Sequence, residues 1–200
     1  MKKQLSSKKF NNQNTKKDII KTARKLFSKF SYLGVSMNDI AQKLNITKPA
    51  LYYHFSSKIE IYEKALKESF ETFCIALTKK LQTGPPEKIL SQMIKAYLEF
   101  GLKEKNLLNS IIIKPSLKNY KIAKQINSLK FRTIAIFQPV VKRVLERQNN
   151  SIIRKRINEK ARLITSLIIN IMDGLLLESY SLNKNLNLEK SAKKILKTLL

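Results

Sequence analysis

The sequence predicts an all-α protein of about nine helices. Apolar residues recur at the three- and four-residue spacing of a helix along most of the chain, and the two-residue alternation typical of strands is not seen. The sharpest breaks between these stretches contain Gly, Pro or Asn. They divide the chain into an N-terminal group of three helices and a longer C-terminal helical bundle. The sequence also lacks a Gly-rich phosphate loop and internal repeats.

The charge balance is strongly basic. The 200 residues include 40 Lys and Arg against 14 Asp and Glu, a formal net charge of +26, with 43% hydrophobic residues as in a soluble globular protein. This charge favours a polyanionic partner, either nucleic acid or an anionic membrane surface. Residues 1–56 hold 12 of the basic and 2 of the acidic residues, so the N-terminal part is denser in positive charge. We interpret the charge of the remainder mostly as solvated surface.

Two short helix signatures separated by a turn lie between Ser36 and Lys58. Ser36 and Asp39 have the spacing of a capping box, in which each side chain binds the backbone N–H of the other residue. Apolar residues then share one helical face as far as Leu44. Asn45 follows at the point where the chain must turn, and Asn tolerates left-handed backbone better than most residues.

The second of these helices presents a distinctive outward face. Thr47 is its predicted N-cap, and Pro49 lies in its first turn. Leu51 and Phe55 point towards the core. The outward residues include a cation, a small apolar group, two phenols and an imidazole: Lys48, Ala50, Tyr52, Tyr53 and His54. Such a face suits the major groove of DNA, but the spacing alone fits an ordinary helical hairpin equally well.

The first helix is predicted to begin at Thr15, which forms a further capping box with Asp18, and to run to about Ser31. It is expected to pack over the helix-turn-helix pair through a stripe of apolar residues: Ile19, Ala23, Leu26, Phe27 and Phe30. Residues 1–14 are polar, with four lysines, and are predicted to form a disordered tail. Gly34 ends the first element.

A long helix is predicted after the helix-turn-helix. Ser57 and Glu60 form a third box at its start, and neither Gly nor Pro interrupts Lys58 to Thr83. The helix is therefore expected to join the N-terminal helices to the body as a rigid rod. Residues 83–86, with the sequence T-G-P-P, form the sharpest break in the chain.

The body after this break is predicted to contain five more helices. Pro139 lies inside the third of them and predicts a kink near Ile136. The five predicted helices cover residues 85–101, 107–113, 119–147, 153–181 and 188–199.

The helix predicted from Ile153 to Ser181 carries two adjacent apolar columns, and a surface that wide needs partners on two sides. We expect one column to pack within the subunit and the other, with the last helix, to pack against a second copy in a four-helix interface. The expected interface residues are Leu163, Leu167, Asn170, Ile171, Gly174, Leu175, Ile195 and Leu199. The alternative is a helix at the centre of a monomeric bundle.

Several kinds of site are not expected. A single cysteine, Cys74, excludes an intramolecular disulfide, and the single histidine leaves no His-based metal cluster. No nucleophile–base pair or paired carboxylates can be recognised, so we expect no enzyme, cofactor or metal. The N-terminus lacks the apolar core of a signal peptide, and the apolar run from Leu163 to Leu177 is interrupted and is predicted to be too short to span a bilayer. A bacterial cytoplasm is the expected location.

Residues 15–58 resemble the DNA-binding domain of the TetR family of bacterial transcription regulators. The resemblance lies in I-I-K-T-A-R-K-L-F-S-K-F-S-Y-L-G-V-S, in D-I-A-Q-K-L-N-I and above all in K-P-A-L-Y-Y-H-F-S-S-K. It implies a DNA-binding domain over residues 15–56 and a helical ligand-binding and dimerisation domain over 57–200, after the basic tail of residues 1–14. The family usually has Gly at the position of Asn45 and a polar or charged residue at that of Met37.

The resemblance also implies functional residues. DNA contacts are expected from the helix-turn-helix and from the ends of the adjoining helices: Lys17, Ser36, Asn38, Thr47, Lys48, Pro49, Ala50, Tyr52, Tyr53, His54 and Lys58. A cavity for a small effector is expected among the later helices. Its expected lining is Phe70, Phe73, Met93, Tyr97, Phe100, Phe131, Phe137, Ile168 and Met172. The alternative for these aromatic and apolar residues is a plain hydrophobic core.

The leading hypothesis is a homodimeric, ligand-responsive transcriptional repressor that binds double-stranded DNA at a palindromic operator. The alternative is a basic helical protein that coats nucleic acid, or an anionic membrane surface, without sequence preference. A third hypothesis keeps the fold but makes the protein a DNA-bound scaffold without a role in transcription.

Overall fold

The computed structural model describes residues 12–80, 84–112, 120–148 and 154–200. In these parts of the chain there are nine α-helices and no strand, which confirms the all-α prediction. The helices are α1 (Asn12–Phe30), α2 (Met37–Lys43), α3 (Lys48–His54), α4 (Lys58–Thr78), α5 (Pro86–Lys103), α6 (Lys105–Ile112), α7 (Tyr120–Gln148), α8 (Arg154–Leu182) and α9 (Leu188–Leu199).

The start of α1 differs from the prediction. The helix begins at Asn12, so Thr15 lies inside it and is not an N-cap. Thr15 is buried and lies one helical turn before the buried Ile19. Because its side chain already belongs to the inner face, the helix has to start before it. The predicted tail therefore loses residues 12–14 to α1, and residues 1–11 lie outside the described part of the chain.

Helices α1 to α4 share one hydrophobic core, here called the N-terminal core. It is formed by buried residues that include Ile19, Ala23, Phe27, Ile40, Leu51, Phe55, Tyr62 and Leu66. The core also contains Leu107 from α6 and Ile122 from α7. Within it, the Tyr62 ring packs edge-on against Phe27 at 5.2 Å between centroids, and the Tyr62 hydroxyl donates to the carbonyl of Leu107 at 2.6 Å. The first three helices are thus packed directly onto the later ones.

A second core lies among the C-terminal half of α4 and helices α5, α7, α8 and α9. It is formed by buried residues that include Leu77, Leu90, Met93, Ile94, Phe137, Val141, Ile168, Met172 and Ile195. In this C-terminal core, α7 packs along α8, and α5 packs against both α7 and α9. Pro139 lies inside α7, which continues through it as one helix of 29 residues.

Polar contacts join α1 to the junction between α5 and α6. The guanidinium of Arg24 and the hydroxyl of Ser28 both donate to the carboxylate of Glu104, whose side chain is almost fully buried. The side-chain amide of Asn106 donates to the carbonyl of Lys29 at 2.8 Å. These bonds fix the C-terminal half of α1 on the body of the protein.

The apolar stretch of α8 is longer than the run from Leu163 to Leu177 that was predicted to be too short to span a bilayer. Arg156–Leu182 has the length and composition of a membrane span, with a mean hydropathy of 1.4 in its most apolar window. In the structure 44% of that window is buried inside the protein, and Ile164, Ile168 and Met172 are buried there. The core helix of a soluble protein has the same length and composition, so one such helix is weak evidence for a membrane span.

Candidate nucleic-acid interface and internal cavity

The helix-turn-helix is formed by α2 and α3, and its caps are those that local chemistry predicts. The Asp39 N–H donates to Oγ of Ser36 at 3.1 Å, and the Ser36 N–H donates to Oδ2 of Asp39 at 2.7 Å. The bond from the Ser36 N–H, with that from its hydroxyl, holds the pKa of the Asp39 carboxyl below its usual value. The predicted capping box is therefore present and orients the start of α2.

The turn between the two helices depends on Asn45. Its φ of 54° lies in the left-handed region, as predicted for the residue at which the chain changes direction. Thr47 then caps α3 by accepting from the Ala50 N–H at 3.3 Å. Leu51 and Phe55 are buried in the N-terminal core, which fixes the rotation of α3 about its axis.

The opposite face of α3 lies open to solvent. Tyr53 is 77% exposed and Tyr52 is 46% exposed, and Lys48 and Pro49 beside them are also exposed. His54 is half-buried, with its ring edge-on to Tyr53 at 5.2 Å. Its Nδ1 is buried without a hydrogen-bond partner among the described residues.

The other predicted contact residues flank this face, with the exception of Lys58. Thr47, Ser36, Asn38 and Lys17 are exposed, and Ala50 is half-buried. Met37, by contrast, is buried and belongs to the N-terminal core. An amphipathic α3 thus presents one polar and aromatic surface with the start of α2 beside it.

Lys58 is the exception. Its Nζ donates to the carbonyls of Tyr32 and Val35, both at 2.9 Å, and lies 4.3 Å from the centre of the Tyr32 ring. Burial lowers the pKa of this ammonium. Its predicted phosphate contact is therefore corrected: the ammonium is occupied by backbone carbonyls and fastens the α1–α2 connection to the start of α4.

The cap of α4 also differs in detail from the prediction. Oγ of Ser57 accepts from the Glu60 N–H at 3.4 Å, as expected. The Glu60 carboxylate, however, accepts from the N–H and the hydroxyl of Ser56, both at 2.9 Å, and not from Ser57. The carboxylate thus binds one residue earlier than in a standard box, and the contact lowers the pKa of Glu60.

An internal cavity of about 240 Å³ lies between helices α4 to α8. Four of the predicted lining residues do border it: Phe70, Phe73, Tyr97 and Phe100. Phe73 stacks on Phe100 at 4.4 Å and meets Tyr97 edge-on at 5.4 Å. The cavity wall is therefore mainly aromatic and aliphatic.

The other five predicted lining residues lie elsewhere. Met93, Phe137, Ile168 and Met172 are completely buried in the C-terminal core, away from the cavity surface. Phe131 is 73% exposed on the outside of α7. Helical spacing identifies an apolar face but not whether that face meets a neighbouring helix, a cavity or solvent, and this explains the five errors.

Polar residues of the cavity were missed by the sequence argument. Asp173, Tyr180, Lys130 and Thr133 all border it. The Tyr97 hydroxyl donates to Oδ1 of Asp173 at 2.5 Å. Burial raises the pKa of Asp173 and, with the neighbouring carboxylate, that of Tyr180. The signal in the sequence was Asp173 itself, a carboxylate that interrupts the apolar run of α8.

The outer face of α8 carries most of the predicted interface residues. Leu163 is 61% and Leu167 is 39% exposed, and nothing lies within 4 Å of a Cβ built on the exposed Gly174. The remaining members at this surface are Asn170, which is exposed, and Ile171, Leu175 and Leu199, which are half-buried. Ile195 is buried in the C-terminal core and is corrected to an internal residue.

Comparison with known proteins identifies the N-terminal helices. Residues 19–65, which include α2, α3 and the start of α4, match the profile of "Bacterial regulatory proteins, tetR family". The match covers the helix-turn-helix and parts of the two helices that flank it, so these N-terminal helices are similar to those of the TetR family. The resemblance noted in the sequence is thereby confirmed for these residues, and the family that they match consists of bacterial regulatory proteins.

Curated transcriptional regulators match slightly more than a quarter of the chain. The biofilm operon icaADBC negative transcriptional regulator IcaR of Staphylococcus aureus (strain Newman) is 48% identical over 56 residues, 28% of this chain and 30% of that protein. IcaR of Staphylococcus epidermidis is 43% identical over 58 residues, 29% of this chain and 31% of its own. The matched region thus spans less than a third of the length of these relatives.

Solved structures of transcriptional regulators match almost the whole chain in fold. A TetR-family regulator from Streptomyces coelicolor has a TM-score of 0.70 at 18% identity, covering 94% of this chain and 80% of its own. A Saccharomonospora viridis protein in complex with choline scores 0.72 at 18% identity, covering 94% and 96%. Bacillus subtilis FadR in complex with stearoyl-CoA scores 0.70 at 15% identity, covering 92% and 96%. At these identities the likeness establishes the fold.

Proposed function

We propose that this protein is a sequence-specific transcriptional repressor of the TetR family that binds a palindromic operator as a homodimer and responds to a small molecule. The observation that carries the proposal is the exposed face of α3, with Tyr53 77% exposed and Lys48 beside it on a helix whose other face is buried. A protruding helix with this face fits the major groove. The IcaR relatives are negative transcriptional regulators, which supports repression as the activity.

DNA contact is divided between two kinds of group. Tyr52, Tyr53 and Lys48 supply hydroxyl and ammonium donors at the centre of the proposed interface. Ser36 and Asn38 at the start of α2, with Lys17 on α1, supply contacts to the flanking phosphates. The cations set affinity through release of counterions, and the contacts to base edges select the sequence.

The homodimer is proposed to form through the outer face of α8. Leu163 and Leu167 are exposed leucines about one helical turn apart on the same face of α8. Gly174 leaves room for a close helix crossing. Burying these leucines against a second copy removes apolar surface from water. Two-fold symmetry then presents two α3 helices to half-sites about 34 Å apart, one turn of DNA.

The response to a small molecule is proposed to begin at the internal cavity. Phe100, Gly101 and Leu108 border it, and they flank Glu104, which is bonded to Arg24 and Ser28 of α1. A ligand that displaces these wall residues shifts the junction that holds α1, and with it the position of α3. The proposed DNA-binding domain comprises residues 15–56 together with residues 12–14 of α1. Residues 57–200 are proposed to bind the ligand and to form the dimer. The proposed location is the bacterial cytoplasm.

The test is competition binding to an operator identified by selection from random sequences. Tyr53→Ala and Lys48→Ala are each expected to weaken operator binding about tenfold or more, in line with roughly 1–3 kcal/mol for a good contact. Lys160→Ala, which removes an exposed cation from α8, is the matched control and is expected to bind like the wild type. If both α3 variants also bind like the wild type, the interface assignment is wrong.

The net charge of +26 supports a second candidate function, coating of nucleic acid or of an anionic membrane surface without sequence preference. The same assay separates the two. Operator binding that survives a large excess of random DNA at physiological salt supports the repressor. Equal competition by random DNA supports the coating protein.

A further inference from the structure

We propose that the internal cavity binds a small organic monocation with an apolar body, such as an alkylammonium, and that Asp173 is its counter-ion. This inference rests on the proposed response to a small molecule and goes further by naming the chemical class of that molecule. Three observations support it: the carboxylate oxygen of Asp173 that accepts no hydrogen bond from a described residue, the mainly aromatic and aliphatic wall, and the hydrogen bond of the bordering lysine to Asn170.

The carboxylate of Asp173 can accept further hydrogen bonds. Its Oδ1 accepts from the Tyr97 hydroxyl at 2.5 Å, whereas no hydrogen bond to Oδ2 is made by any described residue. An ionised carboxylate offers about four acceptor sites. It is the only acidic side chain among the residues that border the cavity within the described chain. A ligand with a positive charge, or with N–H donors, is the complement of this single carboxylate.

The wall around the carboxylate suits an apolar cation. Phe73, Tyr97, Phe100 and Tyr180 border the cavity together with aliphatic side chains such as Ile169. Aromatic rings attract organic cations through the negative electrostatic potential of their faces. A strongly hydrated inorganic ion gains little from such a wall, whereas an alkylammonium buries its methylene groups against it.

The lysine that borders the cavity, Lys130, forms no ion pair with Asp173 in the described part of the chain. Lys130 also borders the cavity, but it is exposed and its Nζ donates to Oδ1 of Asn170 at 3.2 Å. Among the described residues, the contact of Lys130 is with Asn170 and that of Asp173 is with Tyr97, and no salt bridge joins Lys130 to Asp173. Burial raises the pKa of Asp173 more than Lys130 lowers it, so the environment of the carboxyl is dominated by desolvation and not by a cation.

The strongest competing ligand class is an anionic amphiphile. An outer cleft, which shares Phe70 and Leu129 with the cavity, carries Lys64, Lys67 and Lys124. These lysines are exposed, and salt screens exposed charges over about 8–10 Å. Arg132 in the same cleft is paired with Glu71, and Glu63 offsets part of the lysine charge. The observations therefore favour a cation inside the cavity over an anion at its mouth.

The size of the cavity limits the ligand. Its volume of about 240 Å³ corresponds to roughly eight water-sized groups at about 30 Å³ each. A head group with a short alkyl chain, about eight to ten non-hydrogen atoms in all, fills it. Hexyltrimethylammonium is a suitable probe, with hexyl sulfate and hexanol as partners that share its tail and differ in charge.

Calorimetric titration of the full-length protein with the three probes tests the proposal without any DNA. We expect the ammonium to bind at least about tenfold more tightly than the sulfate and the alcohol. Asp173→Asn preserves the side-chain shape and is expected to abolish this preference. Glu178→Gln removes an exposed carboxylate from the same helix outside the cavity and is expected to leave it unchanged. Urea unfolding of Asp173→Asn shows whether that variant is folded, so that a loss of the preference can be assigned to the carboxylate.

Three results would overturn the proposal: binding of none of the probes, equal binding of all three, or preference for the sulfate. In the last case, loss of sulfate binding in Lys64→Glu and Lys124→Glu places the anion in the outer cleft. None of these results affects operator binding by α3. Conversely, loss of the α3 contacts leaves the ammonium titration intact, so the two proposals fail separately.

Discussion

Nη2 of Arg24 lies 2.8 Å from Oε1 of Glu104, a residue 80 positions later in the chain. Glu104 is only 2% exposed, and its second carboxylate oxygen accepts from the hydroxyl of Ser28. The pair thus places a nearly buried carboxylate between α1 and the α5–α6 junction. Because Phe100 and Leu108 on either side of Glu104 border the cavity, this contact connects the cavity wall to the helix that supports α2 and α3.

Arg24→Ala is expected to lower the free energy of unfolding by about 3–5 kcal/mol, because it leaves the buried Glu104 carboxylate without its cation. Arg132→Ala is the matched control. It breaks an ion pair with Glu71 in which both side chains are nearly half exposed, and is expected to cost about 1 kcal/mol or less. Urea unfolding measures both.

The double variant Arg24→Met/Glu104→Leu tests the cause of this loss. It removes both charges and keeps apolar volume, so it is expected to recover most of the stability lost in Arg24→Ala. Equal losses in Arg24→Ala and Arg132→Ala would contradict the importance assigned to burial of the pair.

Asn45 is expected to tolerate Gly but not a β-branched residue. Its φ of 54° costs a residue such as Val about 1–2 kcal/mol, whereas Gly adopts this conformation without steric penalty. Urea unfolding should therefore show Asn45→Val less stable than Asn45→Gly by about that amount. Similar stabilities of the two variants would contradict a left-handed turn at this position.

Asp39 is expected to make stability depend on pH in the acid range. Hydrogen bonds from Ser36 lower the pKa of the folded carboxyl, so the ionised group stabilises the fold above its unfolded value of about 3.9. This contribution is lost as the pH falls through the folded-state pKa. The stability difference between wild type and Asp39→Asn, measured by urea unfolding at successive pH values, should therefore shrink towards low pH. A constant difference over the whole range would argue against the ionised cap.

Leu163→Asp and Leu167→Asp are expected to convert the proposed dimer into a monomer, since each puts a charge into an apolar interface. Sedimentation velocity measures the change. Ile75→Asp on α4, where Ile75 is 55% exposed and outside the proposed interface, is the control and should stay dimeric. A dimer that survives both α8 substitutions would place the interface elsewhere.

Local chemistry explains why the helix-turn-helix could be predicted in detail. A Ser–Asp pair three residues apart, an Asn at a sharp turn and a Thr before Lys48-Pro49 each determine the backbone within a few residues, and the structure has all three. Helical periodicity placed the long helices to within a few residues for the same reason. The start of α1 was misplaced because Thr15 fits a cap in sequence but lies on a buried face.

The sequence by itself determined the all-α class, the positions of the helices and the outward face of α3, because capping and periodicity act between residues close in the chain. Tertiary structure alone decided which apolar faces meet a cavity, a core or solvent. It buried Ile195, exposed Phe131, turned the ammonium of Lys58 onto the carbonyls of Tyr32 and Val35, and brought Asp173 to the cavity. Helical spacing tells which residues share a face, but what covers that face depends on the packing of helices far apart in sequence.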